Sequence, residues 1–225
     1  MSHTTSRLAL IDWLRALAIV LMVIYHFSWD LAMMQLIEQR TFTGPLMTFI
    51  GRSCLCLFLF CVGYSLALSH TPSIRWRPFW RRWLKIVLAA AAVSLATYVY
   101  MPTAWVYFGI LHCIAVASLL GLLFLRIPLI ALLAGSSLMI SWWLFGSTLP
   151  WLHLPRPSLD YIALFPWSGM VLIGIGAHHY RLHERIRPPE LPAPEWLSRH
   201  SLAIYLLHQP LLLGLAFLLG RLAVQ

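Results

Sequence analysis

Apolar residues run along this chain in stretches of about 20, separated by short polar gaps. That length matches the hydrocarbon thickness of a bilayer. The pattern predicts helices over about 8–34, 44–69, 80–101, 105–125, 127–147, 159–180 and 199–220. The expected fold is all-α: a multi-pass transmembrane helix bundle of about seven helices, with residues 1–225 forming a single integral membrane domain. The lipid bilayer is then the first partner. The longest polar connection runs from Arg181 to Arg199, and Pro188, Pro189, Pro192 and Pro194 exclude a continuous helix there. Gly169, Gly174 and Gly176 read as close-packing positions, and Pro166 is a candidate for bending the sixth helix.

Polar positions break the apolar pattern most clearly in the first predicted helix. Asp12 and Asp30 are 18 residues apart, about five turns, so they share a face. His26 falls about 40° and Arg15 about 60° from them. A charged side chain at the centre of a membrane helix costs roughly 2.5–3.5 kcal/mol on the insertion scale. A one-sided stripe therefore implies a face turned towards partners or water. Asp12 and Arg15 sit at one end, where an anchoring pair or a contact to a charged donor are both open readings. His26 and Asp30 are an i,i+4 pair, which lets a carboxylate orient an imidazole.

Composition supports the membrane reading. The chain is 60% hydrophobic and 10% charged, with a mean hydropathy of +0.79. Soluble domains carry roughly 25% charged residues. Trp13, Trp29, Trp105, Trp151 and Trp196 fall near segment ends, as interfacial indoles do. The four cysteines lie within apolar runs and read as packing residues, neither a disulfide framework nor a metal site. Asp12 and Arg15 interrupt the first apolar stretch, so a retained signal anchor is expected over a cleaved signal peptide.

The net charge of +9 is carried by residues beside the apolar runs, so topology explains it and nucleic acid is not an expected partner. With the N-terminus inside, twelve basic residues fall on the cytoplasmic side: Arg7, Arg15, Arg75, Arg77, Arg81, Arg82, Lys85, Arg126, Arg181, Arg185, Arg187 and Arg199. Three, Arg40, Arg156 and Arg221, fall outside. The N-terminus is expected in the cytoplasm and the C-terminus outside. Arg52 stands apart as an intramembrane residue. On this topology His26, Asp30, Arg52, His112 and Asp160 reach similar depth in the outer half, and His208 lies near mid-membrane. Metal binding by His178, His179 and His183 is not expected, because Glu184 is the only further ligand nearby.

A family resemblance rests on these same residues. Arg7-Leu8 and Ile11-Asp12-Trp13-Leu14-Arg15-Ala16 are followed by Tyr25-His26-Phe27-Ser28-Trp29-Asp30-Leu31. Next come Gly51-Arg52, Gly63-Tyr64-Ser65 and Phe108-Gly109-Ile110-Leu111-His112. Phe165-Pro166-Trp167, Gly174-Ile175-Gly176 and Ile204-Tyr205-Leu206-Leu207-His208-Gln209-Pro210 complete the series. In this order they resemble the heparan-α-glucosaminide N-acetyltransferase catalytic-domain family over nearly the whole chain. Ala16 departs from the glycine common after that arginine.

The resemblance implies acyl transfer across a bacterial-type inner membrane, from acetyl-CoA as co-substrate to an amine or hydroxyl of a small-molecule or glycan acceptor on the outer side. It makes His26 the expected active-site histidine and general base, with Asp30 holding its tautomer. Arg52 would stabilise negative charge on the acyl carbonyl, and His112 would act as a second acid/base or a hydrogen-bond donor. Asp160, Trp167 and His208 are the acceptor-side candidates. Arg15, Arg81, Arg82 and Lys85 are the candidates for CoA phosphates. Three rivals stay open: a transporter with a polar intramembrane pathway, a haem protein using His26, His112 and His208, and a membrane scaffold. A homo-oligomer is compatible with all of them.

Overall fold

The computed structural model describes residues 2–181, 184, 186 and 194–223. The expectations placed on His183, Arg185, Arg187, Pro188, Pro189, Pro192 and the Arg7 side chain lie outside the described residues. Nine helices occur among the described residues: α1 (Ser2–Met33), α2 (Gln39–Thr43), α3 (Pro45–His70), α4 (Trp76–Tyr100), α5 (Ile110–Phe124), α6 (Pro128–Phe145), α7 (Ser168–His179), α8 (Glu195–Arg199) and α9 (Ser201–Ala223). In α1, α3, α4, α6 and α9 the apolar span is long enough to cross a membrane, and α5 is a shorter apolar helix. The chain is therefore an all-helical, multi-pass membrane protein. The seven helices expected from the apolar runs correspond to α1, α3, α4, α5, α6, α7 and α9, with α2 and α8 as short additions.

α1 and α4 begin earlier than expected, at Ser2 and Trp76, whereas two helices begin well after the expected position, and for one reason. The helix expected from 105 starts at Ile110, and the helix expected from 159 starts at Ser168. The residues left over pair with each other. Leu159 N–H donates to Ala104 O at 2.8 Å, and Ile162 N–H donates to Phe108 O at 3.0 Å. Phe108 and Tyr161 form an isolated parallel bridge. Backbone donors that a helix would have satisfied internally are satisfied across this pairing. Pro155, Pro157 and Pro166 disfavour helix through the second segment. Pro166 precedes α7 and so does not bend it.

The chain divides into two units, Met1–Phe58 with Arg187–Gln225, and Leu59–Ile186. In the first, α1 packs against α9, α8 and α2. Ala16, Ile19 and Met22 are buried on the side of α1 that carries Asp30. Leu17, Val20 and Ile24 are exposed, about 80–140° round the helix from Asp30. On α9 the exposed residues Leu207, Leu211, Leu215, Leu218 and Leu222 recur at helical spacing. Apolar side chains outward and polar side chains inward is the arrangement a lipid solvent selects.

The second unit is built on close helix contacts, chiefly α7 against α6 and α5. A Cβ at Gly63 would run into the Val171 backbone, and one at Gly174 would meet the Phe60 carbonyl and stand 2.8 Å from Tyr64 N. Gly135 and Gly169 face each other in the same way, a Cβ on Gly169 falling 2.8 Å from the Gly135 carbonyl. Small residues let backbones approach where no hydrophobic force between helices is available in lipid. We predict that Gly63→Val and Gly174→Val each destabilise the protein by roughly 1–3 kcal/mol or more through overpacking. Gly214→Ala, at a site with nothing within 4 Å, should leave stability near wild type. Thermal unfolding of the purified protein in detergent checks this, and equal melting temperatures for all three variants would contradict it.

Candidate functional site

The polar centre of the first unit is formed by α1 and α9. Asp30 is fully buried. Its Oδ1 accepts a hydrogen bond from Gln209 Nε2 at 2.7 Å, across a sequence separation of 179 residues. The i,i+4 spacing suggests His26 as the partner of this carboxylate, but the hydrogen bond formed goes to Gln209. His26 instead packs against His208, with ring centroids 4.8 Å apart and the rings nearly edge-to-face. The Tyr25 ring lies beside it, in space that Gly51 leaves open: a Cβ there would stand 2.7 Å from Tyr25 Cε2.

Hydrogen-bond roles settle the protonation pattern of His208. Its Nδ1 lies 2.6 Å from the Tyr205 carbonyl oxygen, which only accepts, so Nδ1 carries the proton. In the neutral ring Nε2 is then a lone-pair acceptor. Among the described residues that atom is buried without a hydrogen-bond partner, as are Asp30 Oδ2 and Gln209 Oε1. Three buried atoms of this centre therefore all offer acceptors, and among the described residues no donor meets them. Buried polar atoms are normally satisfied, so this centre has the polarity to take a group rich in N–H or O–H.

In the first half of α1, Arg15 donates from Nη1 to Ser198 Oγ of α8 at 2.8 Å, which ties the first helix to the segment that leads into α9. Arg52 follows Gly51 on α3 and is exposed. The structure thus brings His26, Asp30 and His208 together, with Arg15 bonded to Ser198 and Arg52 exposed on α3 in the same unit. Gln209 is a site residue that sequence reasoning misses. Its signal in the sequence is a carboxamide inside an apolar helix, next to His208.

His112, Asp160 and Trp167 belong to the second unit. His112 Nδ1 accepts the Gly109 N–H at 3.1 Å, so in the neutral ring Nε2 carries the proton. Nε2 lies 3.2 Å from Ser94 Oγ, which in turn donates to the Val106 carbonyl at 2.7 Å. Thr97 Oγ1 accepts the Val106 N–H at 3.0 Å. Both nitrogens of His112 are engaged in holding residues 106–109 against α4. Asp160 Oδ2 accepts the Ile110 N–H at 3.0 Å, at the start of α5. Desolvation raises the Asp160 carboxyl above the usual carboxylate range, and the Ile110 N–H opposes that rise. Trp167 immediately precedes α7 and packs on Trp142 at a centroid distance of 4.8 Å. Arg81, Arg82 and Lys85 are exposed in the first turns of α4. His178 packs edge-on against Tyr64. Among the described residues no group of three or more His, Cys, Asp or Glu could hold a metal ion.

These features define a polytopic membrane protein with a buried, acceptor-rich centre on its first and last helices. The family model for heparan-alpha-glucosaminide N-acetyltransferase, catalytic, matches residues 7–210, and the chain belongs to that family. Comparison with curated proteins and with solved structures returns no match. The matched region takes in His26, Asp30, His112, Asp160, His208 and Gln209.

The capping bond of Asp160 gives a prediction that separates shape from charge. Asp160→Ala should cost about 1–2 kcal/mol, the usual cost of losing an oxygen that satisfies a helix N-terminus. Asp160→Asn keeps an acceptor for the Ile110 N–H and should lose less than half of that. Thermal unfolding of both variants is the check. Equal losses would show that the carboxylate charge, and not the hydrogen bond, is what the position requires.

Proposed function

We propose that this protein is a transmembrane acetyltransferase that moves the acetyl group of acetyl-CoA to an amine or hydroxyl of a sugar or glycan at the outer side of the membrane. The observation that carries this reading is the set of unmet buried acceptors around His26, combined with membership of an N-acetyltransferase family. An amine or hydroxyl acceptor supplies the donors that Asp30 Oδ2, Gln209 Oε1 and His208 Nε2 lack.

The chemistry balances without a further reactant. The acceptor nitrogen or oxygen attacks the thioester carbon and its proton passes to His26. The tetrahedral intermediate then expels the CoA thiolate, which takes up the proton. Among the described residues His26 makes ring contacts to Tyr25 and His208 and no hydrogen bond, so its ring nitrogens stay available for that exchange. Asp30 supplies negative charge beside the imidazolium that forms. His208 and Asp30 hold the acceptor. Arg52 is the cation of this unit assigned to the acyl oxyanion. Arg15 in the first unit, or the exposed Arg81, Arg82 and Lys85 in the second, would supply the cations for the CoA phosphates on the cytoplasmic side, with the N-terminus inside and the C-terminus outside. His112 and Asp160 hold the start of α5, and Trp167 braces α7.

Proteoliposomes loaded with acetyl-CoA and given external glucosamine as a probe acceptor test this reading. Free CoA thiol should appear inside as acetylated glucosamine appears outside. His26→Ala should lower the rate by roughly 10²–10⁴-fold, the usual worth of a positioned base. An unchanged rate would remove His26 from the chemistry. Passage of glucosamine across the membrane without acetylation would favour the permease reading.

A further inference from the structure

We infer that Gln209 is a positioning residue for the transfer reaction, acting through Asp30; the inference rests on the acetyltransferase reading above. Among the described residues Asp30 is the one acidic residue with no solvent exposure, and it sits on α1, whereas its donor comes from α9. Neither residue can choose the other by local geometry, since they are 179 positions apart. The bond exists only when the first and last long helices are packed together.

Its chemistry explains why a carboxamide stands here. The Nε2 donor engages Oδ1 and leaves Oδ2 free, so the carboxylate cannot rotate freely about its last torsion. Fixing Nε2 also fixes Gln209 Oε1, which is left as a second unmet acceptor. One side chain thus aims two acceptors. A leucine at 209 would release both. A glutamate would place two carboxylates together, which forces them to share a proton. Pro210 follows directly, and a proline has no N–H to complete the helical bond to Leu206. The helix is thereby relieved of one internal bond next to the residue that must reach across to α1.

The test uses the full chain in proteoliposomes with acetyl-CoA and glucosamine, comparing wild type, His26→Ala, Gln209→Leu, Gln209→Asn and Gln209→Glu across pH. Gln209→Leu is expected to lower kcat roughly 10- to 100-fold, the scale of a lost hydrogen bond to a charged group, with KM for acetyl-CoA within about threefold. Gln209→Asn, one methylene shorter, should fall between Gln209→Leu and wild type. Gln209→Glu should be as impaired as Gln209→Leu at neutral pH and recover as the pH falls, because a protonated glutamate can again donate to Asp30. A side chain that merely filled space would give no such recovery. In an Asp30→Ala background Gln209→Leu should lower kcat by under about threefold further, since the oxygen it donates to has gone. Wild-type kcat in Gln209→Leu, a loss in Gln209→Glu that does not depend on pH, or full additivity with Asp30→Ala overturns the inference. Should Gln209→Leu fail to fold by gel filtration, Gln209→Glu and Gln209→Asn, which keep a polar side chain, decide the question. Wild type with no turnover above His26→Ala overturns the acetyltransferase reading and the inference with it, an outcome distinct from a failure confined to position 209.

Discussion

A carboxylate fully buried on a membrane helix has to be answered by something, and here the answer is the carboxamide of Gln209 on the last long helix. Desolvating an ionised group without a partner costs far more than an ordinary packing defect. The hydrogen bond between α1 and α9 therefore does two things at once. It makes the packing of these helices worth keeping, and it decides which acceptor atoms remain free. His26 and His208 pack edge-to-face beside it, and the Tyr205 carbonyl sets the tautomer of His208 so that its other ring nitrogen is also an acceptor. The polarity of the centre follows from these few bonds.

The second unit achieves order by a different route. Its core depends on backbones coming close at Gly63, Gly174, Gly135 and Gly169, with Tyr64, Leu59, Val171 and Ile175 buried around them. Its polar side chains are largely spent on local backbone. Ser94, Thr97 and His112 hold residues 106–109, and Asp160 holds the first residue of α5. A histidine with both nitrogens engaged is poorly placed to pass protons, whereas His26 makes no hydrogen bond among the described residues. That contrast is why the chemistry is assigned to α1.

Much of the architecture is legible in the sequence because lipid imposes a simple pattern on it. Long apolar runs mark the seven principal helices, and the polar face of α1 marks a buried side. Gly169, Gly174 and Gly176 read as packing positions, and a Cβ at each would collide with a neighbouring helix. The starts of α5 and α7 are not legible, because residues 104–108 and 159–162 satisfy their backbones by pairing with each other, a non-local arrangement that a period of apolar positions does not reveal. The partner of Asp30 escapes sequence reasoning for the same reason. Local spacing points to His26, four residues away, whereas the bond runs to Gln209 at the far end of the chain.

Binding of the acceptor among Asp30, His208 and Gln209 is the point on which the proposed chemistry stands. The most direct measurement is the KM for glucosamine in proteoliposomes filled with isotopically labelled acetyl-CoA, comparing wild type with Asp30→Asn. Asn at position 30 replaces an acceptor oxygen by a donor while keeping the volume. The KM for glucosamine should rise by at least about tenfold, the scale of a lost charge-assisted hydrogen bond, with the label still transferred at saturating acceptor. An unchanged KM, with label transferred to glucosamine at the wild-type rate, would place the acceptor elsewhere and contradict that binding mode.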